Sequence, residues 1–152
     1  MAGMDDVLIR RATAADVPAI VAMLADDPLG ATREAPGDPA YAAAFAEIDA
    51  DPRQYLAVAC AGDEVVGTMQ LTFIPGLSRR GATRALIEAV RVRADRRGSG
   101  LGSRLAEWAV ETARSRGAAL VQLTTDASRT DAHRFYERLG FTASHVGMKL
   151  IF

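Results

Sequence analysis

The run Arg97–Gly98–Ser99–Gly100–Leu101–Gly102 holds the residue types that seat a phosphate. A predicted strand over Ala85–Val92 precedes it, and a predicted helix over Ser103–Arg116 follows. Glycines at such a junction let backbone N–H groups turn inward, and a helix N-terminus adds unpaired donors with partial positive charge. Five arginines (Arg91, Arg93, Arg96, Arg97 and Arg104) surround the loop in a chain whose net charge is −1. The loop is the candidate cofactor site, with a phosphate or pyrophosphate as the group held.

Three kinds of glycine loop must be separated. An ATP-binding loop needs Gly–Lys–Ser/Thr, and neither the lysine nor the pair is here. A dinucleotide fingerprint needs a third glycine where Ser103 stands and an acidic residue about 20 positions on. Asp126 lies late for that role, and the preceding strands look like hairpin partners rather than parallel repeats. The third form is Arg/Gln–x–x–Gly–x–Gly, met by Arg97, Gly100 and Gly102. With it the chain resembles the GNAT superfamily of acetyl-CoA-dependent N-acetyltransferases. Further stretches share the resemblance: Ala132–Phe141 with its Tyr–x–x–x–Gly–Phe ending, Ile87–Glu88 followed by Val90 and Val92, and the opening Ile9–Thr13. It weakens between Pro28 and Pro52.

The resemblance implies a set of roles. Backbone N–H groups of Gly98, Ser99, Gly100, Leu101, Gly102 and Ser103 would hold the pyrophosphate, with Arg97 opening the motif and Arg96 or Arg104 neutralising charge. The backbone of Val90 and Val92 would pair with the pantetheine arm as an added strand does. Glu88 stands where some members keep a general base. A carboxylate in mid-strand is costly unless paired or wetted, so a structural carboxylate is the alternative. Tyr136 stands where the family keeps the general acid for the departing thiolate; the alternative is a packed tyrosine. Many members carry an asparagine where this chain has Arg129, which leaves the arm to other groups or gives Arg129 a phosphate contact. The donor expected is acetyl-CoA, with no metal, and the acceptor a small-molecule or peptide amine attacked directly in a ternary complex. A catalytically silent acyl-CoA sensor is the rival reading.

The remaining chemistry-bearing residues read as structural. Cys60 lies in an apolar run and, alone, forms no intrachain disulfide and no cysteine-rich metal site. His133 and His145 lack a second ligand at metal spacing. Trp108, Phe135 and Leu139 sit at core spacing on their helices. Arg79, Arg80 and Arg84 make a basic loop that either binds an anionic group on the acceptor or is simply solvated. A basic loop on a near-neutral chain favours acceptors that carry an acid over polyamines.

The elements that position these residues follow from patterning. At 152 residues the chain is expected to be one domain over 1–152. Its 49% apolar and 24% charged content is that of an ordinary globular protein. The near-neutral charge argues against a nucleic-acid partner, no stretch is long enough to span a membrane, and a cytoplasmic location is expected. Val7–Arg11 predicts a strand, and Thr13 or Asp16 caps a helix with Val17, Ile20, Val21 and Leu24 on one face. A proline-rich loop from Pro28 to Pro39 leads to a short helix over Ala40–Asp49. Tyr55–Ala61 and Val65–Phe73 form a hairpin across Gly62–Asp63. After the glycine loop come a strand over Leu120–Thr124, a helix over Asp131–Leu139 capped by Ser128 or Thr130, and a closing strand. In that strand Val146, Met148, Leu150 and Phe152 share a face, available to a homodimer or to the internal sheet. The fold class expected is α/β, with a mixed, mostly antiparallel sheet, helices on both faces and two splayed parallel strands at its centre.

Overall fold

Apolar runs covered on both faces build the centre of the sheet: Ala57, Val58, Ala59 and Cys60 are buried in succession. The computed structural model describes residues 6–152. It divides into two units, Met1–Gln122 and Leu123–Phe152, each taken by itself below.

In the first unit β1 (Val7–Arg11), β2 (Gln54–Ala61), β3 (Glu64–Ile74), β4 (Arg84–Val92) and β5 (Leu120–Gln122) form one sheet in that order. Every neighbouring pair is antiparallel except β4 and β5, which are parallel. Helices α1 (Val17–Ala25), α2 (Gly30–Arg33) and α3 (Ala40–Ala50) precede β2. A four-residue turn, α4 (Ser78–Gly81), separates β3 from β4, and α5 (Leu101–Ser115) separates β4 from β5. On one face Ala12 and Ile20 pack with Val58 and Cys60, and Leu24, Phe45 and Leu56 close around them. On the other face α5 buries Leu105, Ala106, Ala109 and Ala113. Gly67 of β3 lets that helix approach, since a Cβ there would stand 3.1 Å from Leu105 Cδ1. Trp108 meets Tyr55 edge-on at 5.0 Å, half-buried and packed as expected. Burial raises the Cys60 thiol above its ordinary pKa, as suits a structural thiol.

The expected loop from Pro28 to Pro39 contains one turn of helix, α2. The Asp27 carboxylate accepts the Gly30 N–H, a local bond that starts the turn between two prolines. At the first helix, Thr13 and Asp16 share the capping role. A 3₁₀ turn over Ala14–Asp16 leads into α1, and the Asp16 carboxylate accepts the Thr13 N–H at 2.7 Å.

The same carboxylate takes a two-point contact from Arg10, at 2.7 and 3.1 Å, and its side chain is 9% exposed. The Arg10 hydrogen bond is the largest of the effects that lower Asp16 from 3.8 to about 2. A folded value below the unfolded one stabilises above the unfolded pKa, and that stability is lost as pH falls through the folded value. Asp16 should therefore contribute about 2 kcal/mol at neutral pH and lose it between about pH 4 and pH 2. Urea unfolding should show Asp16→Asn weaker by that amount at pH 7, with the gap to the parent closing toward pH 2. A gap that stays constant with pH would rule out this assignment.

In the second unit α6 (Thr130–Arg138) is the only regular element among the described residues. Neither expected side-chain cap operates, because Arg129 holds the cap position and Ser128 turns its hydroxyl to Asp126. The strand expected over the closing residues is not formed: residues 141–152 carry no ladder. Alternation supplies a face but no hydrogen-bond partner, and a strand exists only when paired. β5 is accordingly the last strand of the sheet and three residues long, shorter than the sequence suggests.

Candidate active site

β4 carries the chemistry of the first unit, and its shape is set by one irregularity. Thr68 pairs with Arg91 and Gln70 with Glu88, so Met69 alone faces both Ala89 and Val90. This is a β-bulge, and Ala89 adopts φ 54°, a conformation an L-residue takes only at a cost of about 1–3 kcal/mol. Glu88 lies opposite Gln70 and is exposed, on the sheet face that carries α1 and α3. The carboxylate is therefore wetted, which removes the cost foreseen for it in an apolar strand.

Parallel pairing between β4 and β5 covers three residue pairs and stops at Leu86 and Gln122. From Ile87 to Val92 the edge of β4 turned away from β3 has no β5 partner. The Arg93 N–H donates to the Val66 carbonyl at 2.8 Å, which by strand alternation turns the backbone groups of Val92 to the unpaired edge. The carbonyls of Val90 and Val92 accept Arg91 Nη1 at 2.9 Å and Arg97 Nε at 3.4 Å.

The glycine loop follows. Gly98 and Gly100 have φ of 79° and 86°, which only glycine adopts readily. Gly100 is the N-cap of α5, so the helix starts at Leu101, two residues earlier than the sequence suggests. The N–H groups of Leu101, Gly102 and Ser103 thus belong to its first turn and have no i−4 carbonyl inside the helix. The arginines divide by what they already hold. Arg91 Nε lies 3.1 Å from Asp27, Arg93 binds Glu64 and Asp95, and Arg104 donates to the Val7 carbonyl at 2.6 Å. Arg97 reaches Asp26, at 3.2 Å to its carbonyl and 3.4 Å to its carboxylate. It clamps the loop to the end of α1, so its visible role is positioning. Among the described residues Arg96 is the one arginine of the five whose side chain is in no hydrogen bond or ion pair given above, although its charge acts on Asp95. Arg79 and Arg80, also without side-chain partners among the described residues, occupy left-handed backbone in α4. About 13 Å of strand separates Arg84 from Glu88.

In the second unit Tyr136 packs edge-on against Phe135 at 4.9 Å and Phe141 at 5.8 Å. His133 Nε2 lies 3.0 Å from the Asp126 carbonyl and helps fix the turn that opens α6. Ser128 N–H and Oγ donate to Asp126, which holds its carboxyl below the usual range.

The glycine loop, the helix it caps and the strand before it lie within a stretch that matches known proteins. The model of the acetyltransferase (GNAT) family matches residues 19–141. The chain belongs to the GNAT acetyltransferase family. Over 106 residues it is 39% identical to an aminoalkylphosphonate N-acetyltransferase of Salmonella typhimurium, covering 70% of this chain and 68% of that protein. Among solved structures, a protein of Bacillus halodurans C-125 described as a transcriptional regulator is 52% identical, with a TM-score of 0.93. That alignment covers 96% of this chain and 99% of the other. An acetyltransferase of Trypanosoma brucei is 28% identical with a TM-score of 0.81, over 97% and 100% of the two chains. As a GNAT protein the chain is an N-acetyltransferase, and GNAT acetyltransferases take acetyl-CoA as donor. No helix among the described residues is long and apolar enough to cross a membrane.

Two features of this GNAT site lie outside the expectations drawn from the sequence, and only the first lacks a signal there. Ala89 carries no signal for a left-handed turn, since alanine is common in strands and helices alike. The stripe Tyr41, Ala44, Phe45 and Ile48 on α3 is legible at i, i+3, i+4 and i+7, and it lines a cavity with the α1 stripe.

Proposed function

We propose that the 152 residues act as one catalytic domain moving an acetyl group from acetyl-CoA to the primary amine of a small acceptor. The observation that carries this reading is the bulged, half-unpaired β4 running into the capped glycine loop. The pyrophosphate would take N–H groups from the stretch Gly98–Ser103, and the pantetheine amides would use the backbone of Val90 and Val92. Glu88 would accept the amine proton, directly or through water. The nitrogen lone pair then attacks the thioester carbonyl, the C–S bond breaks, Tyr136 would donate its hydroxyl proton to the thiolate, and the tyrosinate would take up, through solvent, the proton that the new amide nitrogen sheds. Holding both substrates together supplies much of the rate, because a bimolecular step becomes an intramolecular one.

Arg96, held at the loop by no side-chain hydrogen bond, would neutralise a donor phosphate. Arg96→Ala is expected to weaken acetyl-CoA binding about tenfold by calorimetry, a typical loss for one charge-assisted bond. Arg93→Ala, whose partners are Glu64 and Asp95, should change it less than threefold. Equal effects from the two would remove Arg96 from the phosphate site.

The acceptor is read as a small aminoalkyl compound with an anionic end, following the substrate class in the Salmonella relative's name. The test is thiol release from acetyl-CoA across aminoalkylphosphonates, amino acids, polyamines and aminoglycosides. Turnover should concentrate on the anionic amines. Arg79→Glu with Arg80→Glu should raise the acceptor KM at least fivefold and leave the donor KM unaltered. Preference for polyamines, or an unchanged KM, would refute the anionic assignment.

A further inference from the structure

Two apolar helix stripes face each other across a gap they do not fill. On α1, Val17, Ile20, Val21 and Leu24 recur at i, i+3, i+4 and i+7; on α3, Tyr41, Ala44, Phe45 and Ile48 do the same. Leu56, Thr68, Met69, Gln70 and Ala89 complete a cavity of about 110 Å³. By comparison with a ~150 Å³ cavity that holds benzene, this space takes about four carbon atoms.

The lining decides the kind of ligand. It contains no charged side chain. Its polar side chains already hold protein partners: Thr68 Oγ1 donates to the Ala57 carbonyl at 2.9 Å, and Gln70 Nε2 to Gln54 Oε1 at 2.8 Å. The Tyr41 hydroxyl donates to Glu34 Oε1 at 2.9 Å and accepts the Ala35 N–H at 2.9 Å. Those two bonds also tether α3 to the segment before it. An ammonium, carboxylate or phosphate entering here would lose its hydration without repayment, whereas an aliphatic chain would gain by leaving water.

The position decides which reaction the cavity serves. Ala89, the strained bulge residue, is part of its wall, and Gln70 is the cross-strand partner of Glu88. The cavity therefore adjoins the segment of β4 read above as the place where donor and amine meet. We infer that it is an aliphatic subsite, taking a straight chain of up to about four carbons from one of the two substrates. This rests on the acetyltransferase reading of β4. The chain is either the tail of an acyl group longer than acetyl or the carbon skeleton of the amine.

Two series tell these sources apart in the full-length protein. One varies the donor from acetyl- to propionyl-, butyryl- and hexanoyl-CoA, by calorimetry and by turnover with the best amine of the panel. The other holds acetyl-CoA and lengthens a straight-chain primary amine from two to six carbons. In one series kcat/KM should climb about threefold per methylene until the cavity is full, then fall. Ala44→Phe, which fills the space, should move that optimum to shorter chains, and Ile48→Ala, which enlarges it, to longer ones. Opposite shifts in chain-length optimum are not produced by general damage, and circular dichroism melts of both variants check folding. A flat or falling profile in both series overturns the subsite, as does an optimum that neither variant moves. If acetyl-CoA itself fails to bind, the donor reading falls and the subsite with it; acetyl-CoA that binds and turns over with no chain-length dependence removes the subsite alone.

Discussion

Replacing Glu88 with glutamine is expected to lower kcat by about 10²–10⁴-fold, the span typical of a lost general base. Acetyl-CoA affinity by calorimetry should stay within about twofold. The substitution keeps size and hydrogen-bonding capacity but removes the group that accepts a proton. Glu88 is exposed on the α1 and α3 face beside the bulge, so the variant leaves no buried polar atom stranded. Loss of kcat with intact folding can then be read as chemistry. Tyr136→Phe should cost less, about 10–100-fold, because a thiolate is a competent leaving group without full protonation. Its edge-on contacts with Phe135 and Phe141 survive in the variant. Retention of kcat within threefold in Glu88→Gln would return that residue to a structural role.

The second large effect concerns a glycine outside the loop. A Cβ on Gly30 would stand 1.8 Å from the Leu24 carbonyl oxygen and 3.2 Å from Asp27 Oδ1. The first contact is with backbone, so relief requires the end of α1 to move. Gly30→Ala should cost about 3 kcal/mol, toward the upper end for overpacking, lowering Tm by about 6–12 °C in a chain of this length. The damage should also reach β4. Gly30 donates to Asp27, Asp27 lies 3.1 Å from Arg91, and Arg91 binds the Val90 carbonyl. A raised acetyl-CoA KM is expected alongside the lower melting point. Gly76→Ala, whose nearest atom would lie 3.8 Å away, is the control and should leave Tm within about 2 °C. Equal Tm values in the two variants would refute the packing argument.

The parts of the structure visible in the sequence are those with local causes. The opening strand, the hairpin across Gly62 and the α1 stripe each follow from residues within a few positions of one another. The glycine loop was legible for the same reason, although Gly100 as cap places Leu101 and Gly102 inside the helix. What the sequence misses depends on distant partners. Alternation over Val146–Phe152 promises a strand, but pairing needs a second edge that local pattern does not supply. Arg97 reads as the residue that opens the motif, and its contact with Asp26 needs the end of α1 brought beside the loop. The turn at Ala89 is set by the ladder with β3 and leaves no mark on residue type.

The same irregular strand bears on how copies of this chain behave in a crowded solution. A strand with free hydrogen-bonding groups along one edge is a template on which other chains aggregate. From Ile87 to Val92 this protein leaves an edge without a β5 partner, with the Val90 and Val92 carbonyls taken up by arginine side chains. It places Glu88 and Arg91 in the stretch and Arg93 just after it, and breaks its flatness with the bulge at Ala89. Charges of both signs and a kinked backbone are among the devices by which natural sheets refuse a foreign strand. Colloidal stability and the geometry of β4 are thus tied to the same few residues, and straightening the strand to relieve Ala89 would trade backbone strain for a stickier edge.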